Sequence, residues 1–417
     1  MVNWGLNLSK FMKNILYLLL LPIVRFTRLL VGVDKRILLF NNHTNTFADS
    51  SKYLFLHFVL RSGDSNLKAF WVTKNPSEYS LLKKYGLPVI YVRRPDMCTF
   101  LTLIRANMFI TTGGRDFLFG LIFGYKVFSL WHGVTLKIIE WNNSKDALLY
   151  PKGTIKKVMG AIINLGRYIP PNYLLVTSTN LKPIFLSAFR IKNAKKTRII
   201  IDNYPRNDIL VRKIPGYSLN AVTKKFLIQH RINGKKVILY TPTFREMEVV
   251  NPFRRKETYI ELEKFLNRIN AVLIMKLHPA EYKEFQELTK RMKLHMRNIY
   301  FLDPTLDIYP LLKEADLLIT DYSSIYFDFL HLDRPIIFFV YDLESYKNER
   351  GFYFDFEKMT PGPKARTLKE LIEKIEEIIL KGEDAYKIKR RKIRELMFDK
   401  EAGSACERLY NLISQII

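Results

Sequence analysis

Four polar runs interrupt the apolar segments of this 417-residue chain: WHGVTLK at 131–137, TPTFR at 241–245, KLHP at 276–279 and TDYSS at 320–324. Each follows a short apolar stretch that reads as a strand. Each therefore falls at a strand's carboxyl end, where open α/β sheets bind ligands. The residue types suit a diphosphate. Lys137, Arg245 and Lys276 carry fixed positive charge, and Thr243, Ser323 and Ser324 offer donors beside Asp321. The helix that starts after Ser324 adds a partial positive charge at its end. His132 and His278 titrate near neutrality, so either can take a proton from an attacking hydroxyl or protonate a leaving phosphate. One histidine at a strand end is more often a structural side chain. Two, one in each half of the chain and both at strand ends, point to chemistry.

Other chemistries lack their signatures. There is no Walker loop, no GxGxxG, and no nucleophile elbow with a Ser-His-Asp order. Metal-ligand spacing is absent, and Gly113–Gly114 reads as a turn. The expectation is a site with no metal and no cofactor, in which protein cations and helix ends neutralise the phosphates.

The elements that must carry these runs alternate in type. Ile37–Phe40, Ala69–Val72, Pro88–Val92, Met108–Thr111, Val127–Leu130 and Leu174–Thr177 read as strands. Ser50–Leu60, Ser77–Tyr85 and Met97–Arg105 read as helices between them. A second series begins at Lys236, with VILYTPTF, AVLIMKLHP, NIYFL, DLLIT and PIIFFV as its apolar runs. Within it, Leu317–Thr320 is a buried strand, Ile325–Leu332 an amphipathic helix and Pro335–Val340 the next strand. The join lies near Lys213–Asn233. Leu368–Lys381, Ala385–Met397 and Gly403–Ile417 read as helices. Repeated βαβ units predict parallel sheets, here two Rossmann-like domains facing a central cleft. The expected boundaries are 1–34 for an N-terminal segment, 35–220 and 221–384 for the two domains, and 385–417 for helices closing them.

Composition bounds the partners. Hydrophobic residues make up 48% of the chain, enough for a real core. Two distant cysteines, Cys98 and Cys406, suit a reducing compartment. Residues 1–210 hold 30 Lys+Arg against 10 Asp+Glu, whereas residues 211–417 hold 37 against 30. The basic excess of the first half predicts an anionic partner there. No zinc finger, RNP signature or Arg/Gly-rich tail accompanies it, so nucleic acid is not expected. The apolar run Ile15–Val24 is interrupted by Pro22 and flanked by Lys10, Lys13, Arg25, Arg28, Lys35 and Arg36. Ten clean residues are too few to span a bilayer. The reading is an amphipathic segment lying on an anionic membrane surface.

The motifs together carry a resemblance. WHGVTLK at 131–137, YPRNDIL at 204–210, YTPTFR at 240–245 and KLHP at 276–279 precede TDYSSIYFDFLHLDRPIIFFVYDLESY at 320–346 and RGFYFDFEKMTPGP at 350–363. In these stretches, over about Phe128–Glu377, the chain resembles the CDP-glycerol glycerophosphotransferases that build teichoic-acid and related poly(alditol phosphate) polymers. The resemblance implies an α/β, glycosyltransferase-B-type fold with the nucleotide in the C-terminal domain. It implies transfer of an alditol phosphate from a CDP-alditol to a hydroxyl of a lipid-linked saccharide or growing polymer, with release of CMP. His132 and His278 fall on the motif histidines. Thr243, Arg245, Lys276, Asp321, Ser323 and Ser324 fall on the donor side, and Lys137, Arg206 and Asp208 on the acceptor side. The place implied is the cytoplasmic face of the membrane, peripherally. Two stretches depart from the family pattern: Val134–Thr135 and Ile138–Ile139 around Lys137, and Asp202–Asn203–Tyr204 before Pro205.

Two other readings stand beside this one. A nucleotide-sugar glycosyltransferase or epimerase would share the fold and use a UDP- or CMP-sugar. A non-catalytic binder of anionic polymer would explain the charge but leave both histidines without work. Ribitol in place of glycerol remains open, because the two differ only in hydroxyl contacts.

Overall fold

The computed structural model describes residues 4–44, 46–113, 123–145, 149–150, 154–192, 196–212, 234–245 and 251–417. The predicted join near Lys213–Asn233 and the second glycine of the pair at 113–114 lie outside these residues. The chain forms two compact units. One comprises Met1–His132, Ile139–Asp208 and Phe398–Ile417; the other comprises Gly133–Ile138 and Ile209–Met397. The last helix, Ala405–Ile416, thus belongs with the first unit.

The first unit is built on strands β1 (Asp34–Asn41), β2 (Lys68–Thr73), β3 (Val89–Tyr91), β4 (Ala106–Thr111), β5 (Lys126–Ser129), β6 (Tyr173–Val176) and β7 (Arg198–Ile201). They form one parallel sheet in the order β3-β2-β1-β4-β5-β6-β7. β4 is buried along its whole length, and β1 from Ile37 onward, because helices cover both faces of a parallel sheet. Ile37, Leu39, Val72, Ile90, Leu103, Phe109 and Tyr125 pack one side of it. The strand Arg198–Ile201 escaped the sequence reading; it is four residues long and sits at the sheet's edge.

The second unit carries β8 (Lys236–Thr241), β9 (Ala271–Met275), β10 (Ile299–Phe301), β11 (Leu317–Thr320), β12 (Ile336–Phe339) and β13 (Lys364–Ala365). The order is β10-β9-β8-β11-β12-β13, again parallel throughout. Tyr240, Phe253, Leu262, Leu273, Ile319, Phe339 and Leu371 lie in its main core. In both sheets the strand order reverses direction once. The switch lies between β1 and β4 in the first unit and between β8 and β11 in the second, which is where such sheets open a crevice for ligands.

Two expectations need correction. The predicted amphipathic helix over 325–332 is a short helix, Ile325–Phe329, followed by a 3₁₀ turn, Leu330–Leu332. Its residues from Tyr326 to His331 are all buried, so it has no solvent face. Asp333, at φ 51°, ends it in the left-handed region. At the N-terminus, Pro22 does not interrupt the structure: Trp4–Val31 is one continuous helix. Its stretch Asn14–Val31 is long and apolar enough to cross a membrane by length and composition, and only 11% of it is buried. Two polar side chains tie the helix to the first unit. Asn14 donates to the carbonyl of Ile162 at 2.8 Å, and buried Arg28 donates to that of Ile104. Leu19, Ile23, Phe26 and Leu30 repeat at helical spacing along its exposed side.

Candidate active site

In the first unit three adjacent strands, β1, β4 and β5, deliver Asn42–His43, Thr112 and Trp131–His132 to the same sheet edge. The His132 ring is stacked on that of His43, with centroids 4.6 Å apart and an interplanar angle of 27°. Its Nδ1 lies 3.0 Å from the carbonyl oxygen of Thr112. A carbonyl can only accept, so neutral His132 carries its proton on Nδ1 and leaves the Nε2 lone pair free. That is the tautomer a general base needs. Burial lowers the His132 pKa to about 3, with the neighbouring His43 and Arg206 acting in the same direction; the ring is therefore neutral across the physiological range. Backbone strain collects at this edge. Trp131 holds a φ of 53°, which bulky residues rarely adopt, and Asp49 one of 66°, which aspartate tolerates better.

The remaining first-unit candidates support this edge. Arg206 is buried and pairs with Asp49 at 2.7 Å while donating to the His132 carbonyl at 3.0 Å. It fixes the loop that carries His132. Asp208 accepts from the backbone N–H groups of Gly403 at 2.7 Å, Ala405 at 3.0 Å and Cys406 at 2.8 Å. Its carboxylate caps the first turn of Ala405–Ile416, a use that leaves little of it for an acceptor. The acceptor role expected of Asp208 gives way to capping, and that of Arg206 to positioning.

In the second unit the adjacent strands β9, β8 and β11 end at the other three polar runs. Across the switch point, Asp321 is fully buried and accepts from Thr243 through both its N–H, at 2.9 Å, and its hydroxyl, at 2.7 Å. Arg245 closes on Asp321 at 2.8 Å and on Asp342 at 2.6 Å, beneath the rings of Tyr322, Tyr341 and Tyr346. These carboxylates hold its pKa above the usual arginine value despite burial. Its charge is already matched. Lys276 is engaged in another way: its ammonium donates to the carbonyls of Asp303, Pro304 and Leu306 at 3.1, 2.7 and 2.8 Å. Arg245 and Lys276 are thus both engaged within the protein, where they hold loops in place.

Lys137 is a further cation of the second unit. Its segment pairs with Gly351–Tyr353 through Ile138 N–H to Gly351 and Tyr353 N–H to Leu136, within the second unit. Gly351 has φ 70°, and a side chain there would meet Ile138 at 2.9 Å, so the RGFYF turn requires glycine. Burial lowers the Lys137 pKa to about 8, opposed by the charge of Asp321 and aided by Arg350 and Arg245. Lys137 therefore groups with the donor motifs rather than with the acceptor side.

His278 is the N-cap of the helix Pro279–Arg291, and its Nδ1 accepts from the N–H of Ala280 at 3.3 Å. The neutral ring consequently carries its proton on Nε2 and presents a donor, the opposite of His132. It leans on Phe244, with centroids 4.5 Å apart. Ser323 and Ser324 are half-buried, and the Ser324 side chain makes no capping bond. Glu281, in the first turn of the same helix, has Oε2 buried without a hydrogen-bond partner, and burial raises its pKa. Sequence reasoning passed over Glu281, His43, Asp49 and Thr112. The signal available for His43 was its place three residues after the β1 apolar run, matching His132 after β5.

No group of His, Cys, Asp and Glu that could hold a metal occurs among the described residues. The family model for CDP-glycerol:poly(glycerophosphate) glycerophosphotransferase matches residues 23–415. The chain belongs to that family. It is 34% identical over 261 residues to the teichoic acid poly(glycerol phosphate) polymerase of Bacillus spizizenii, which covers 59% of each protein. It is 29% identical over 367 residues to the teichoic acid glycerol-phosphate transferase of Staphylococcus aureus, covering 83% of this chain and 84% of that one. Against the polymerase of Bacillus subtilis the match spans 41% of the relative, so the chain covers about half the length of the two polymerases. Its fold is that of the wall teichoic acid polymerase TagF, with a TM-score of 0.71 over 100% of this chain at 23% identity. This glycerophosphotransferase family member is therefore a glycosyltransferase-B-like α/β protein.

Proposed function

We propose that the protein transfers glycerol phosphate from CDP-glycerol to a hydroxyl of a lipid-linked saccharide or growing polymer, releasing CMP, in the synthesis of a teichoic-acid-like or capsular polymer. The observation that carries the reading is the pair of opposite tautomers at the ends of β5 and β9, each one strand away from its sheet's switch point: a lone pair at His132 Nε2 and a donor at His278 Nε2. Family membership and the glycerol-phosphate relatives support the donor, as does a solved structure of TagF with CDPG.

In this reading His132 Nε2 takes the proton of the acceptor hydroxyl. The oxygen attacks the β-phosphorus of CDP-glycerol in line. A bond forms from that oxygen to phosphorus, the bond from phosphorus to the bridging oxygen breaks, and CMP leaves with the electron pair. Such a transfer asks for positioning and charge stabilisation more than for covalent help. Lys137, His278 Nε2–H and the hydroxyls of Ser323 and Ser324 meet the phosphate charge. Arg245, Asp321 and Thr243 hold the loop ends that place them. Glu281 Oε2 accepts from a hydroxyl of the donor.

A ribitol donor is the second reading, favoured by relatives such as the Bacillus spizizenii teichoic acid ribitol-phosphate primase at 27% identity. The test is to supply CDP-glycerol, CDP-ribitol and a UDP-sugar in turn with a lipid-linked acceptor and to follow the nucleotide released. CMP from CDP-glycerol supports the proposal and CMP from CDP-ribitol alone transfers it to ribitol. UDP release without CMP overturns it.

The protein works from the cytoplasmic face of an anionic membrane, held peripherally. The exposed Leu19, Ile23, Phe26 and Leu30 support this, as do Met97, Phe100, Ile155 and Val158 on the two helices that pack against Trp4–Val31. Lys156 and Lys157, exposed among them, suit anionic headgroups.

A further inference from the structure

His43 is used by none of the steps above, yet it is built into the His132 site. Thr112 joins the two rings: its carbonyl accepts from His132 Nδ1, and its hydroxyl lies 3.1 Å from His43 Nδ1. The same hydroxyl accepts from the His43 backbone N–H at 3.3 Å and donates to Asn42 Oδ1 at 3.4 Å. When its own proton is directed to Asn42, the Thr112 oxygen can accept from His43 Nδ1, which puts the His43 proton there. In that arrangement both stacked rings present an Nε2 lone pair.

We infer that His43 is a positioning residue for His132, holding the base ring face to face in its reactive tautomer and competing with it for the first proton. The inference rests on His132 being the acceptor's base.

The stack on His43 adds to two other restraints on the His132 ring, the hydrogen bond to Thr112 and the Trp131 ring, whose centroid lies 4.0 Å away. Offset stacking at this separation is favourable for aromatic rings. The pair is also coupled electrostatically. Two imidazoles 4.6 Å apart cannot both hold a proton at modest cost, so protonation of one disfavours the other. Both pKa values lie below the ordinary histidine value, by burial first. His43 is the more exposed ring, and a charge on it lowers the His132 value further. His43 therefore takes the first proton as pH falls, and its charge keeps His132 a base. The charged groups facing the pair are Asp49, from the first turn of Asp49–Leu60, and Arg206, from the turn Pro205–Asn207. They are paired with each other, so their opposed effects on His132 largely cancel.

The test compares His43→Ala and His43→Phe with wild type and with His132→Ala, all in the full chain, using CDP-glycerol turnover and calorimetric CDP-glycerol binding. Phe keeps the stack and cannot take a proton. His43→Ala should lower kcat about tenfold with donor affinity unchanged, less than the ~10²–10⁴ lost with a general base itself, because the base is misplaced and not removed. His43→Phe should recover most of that loss at pH 8, while its kcat/KM begins to fall at a pH about one unit higher than in wild type, the usual size of a like-charge shift. Wild-type kcat in His43→Ala overturns the inference, as does a His43→Phe profile whose acid side has not moved. If His132→Ala also turns over normally, the base assignment has failed; if only His132→Ala is dead, His43 alone has been misread.

Discussion

At the scale of the residue, the site separates cations that are neutralised from one that is not. Arg245 lies between Asp321 and Asp342, and removing it leaves two buried carboxylates without their partner. Arg245→Ala should therefore cost about 3–5 kcal/mol of stability, the range for breaking a buried pair. Thermal unfolding should show this as a large drop in Tm, and an unchanged Tm would mean the pair carries nothing. Lys137 has the opposite character. Its pKa is lowered to about 8, so it is charged below that value and neutral above it. CDP-glycerol affinity should weaken as pH rises through about 8, and Lys137→Arg, charged throughout, should bind with little change up to pH 9. A wild-type affinity flat over that interval would remove Lys137 from the phosphate.

At the scale of the element, the strands and their ends were legible in the sequence, while the partners of the polar residues were not. The apolar runs located β11 at its observed ends and the starts of β8 and β9 to within one residue, because a buried parallel strand is apolar throughout. Local pattern also gave the helix Met97–Arg105 at its observed ends. What it could not give is a contact made across long sequence separations. Arg245 meets Asp342, and Asp208 meets Gly403, 195 residues away. A cation read alone looks like a phosphate ligand until its carboxylate is found. The short Ile325–Leu332 segment misled for a related reason: its polar residues, Asp328 and His331, are buried, with the Asp328 carboxylate accepting from the Tyr309 hydroxyl at 2.7 Å. Asp208→Ala tests the capping role. It should lower stability by about 1–2 kcal/mol, as loss of a helix cap does, while CDP-glycerol binding in calorimetry stays as in wild type. Lost donor binding in a variant of unchanged Tm would return Asp208 to the substrate.

At the scale of the whole molecule, the basic excess and the exposed apolar helix belong to the same first unit. An apolar stripe that the protein itself leaves uncovered suits the acyl boundary of a bilayer, and the lysines beside it suit its headgroups. Ile23→Asp with Phe26→Asp should abolish co-sedimentation with anionic vesicles and leave Tm unchanged, because both side chains are exposed. Undiminished sedimentation of that variant would place the membrane contact elsewhere. Asn14 and Arg28, which tie the helix to the protein, are expected to matter for folding instead.

In the proposed transfer phosphorus, not a glycerol carbon, is the atom attacked. This is tested by supplying CDP-glycerol labelled in its β-phosphate together with a lipid-linked acceptor and asking where the label goes. The account predicts label in the acceptor product and unlabelled CMP in solution, with both lost in His132→Ala. Label retained in released CDP would contradict it, because the bond broken would then lie on the glycerol side of the β-phosphate.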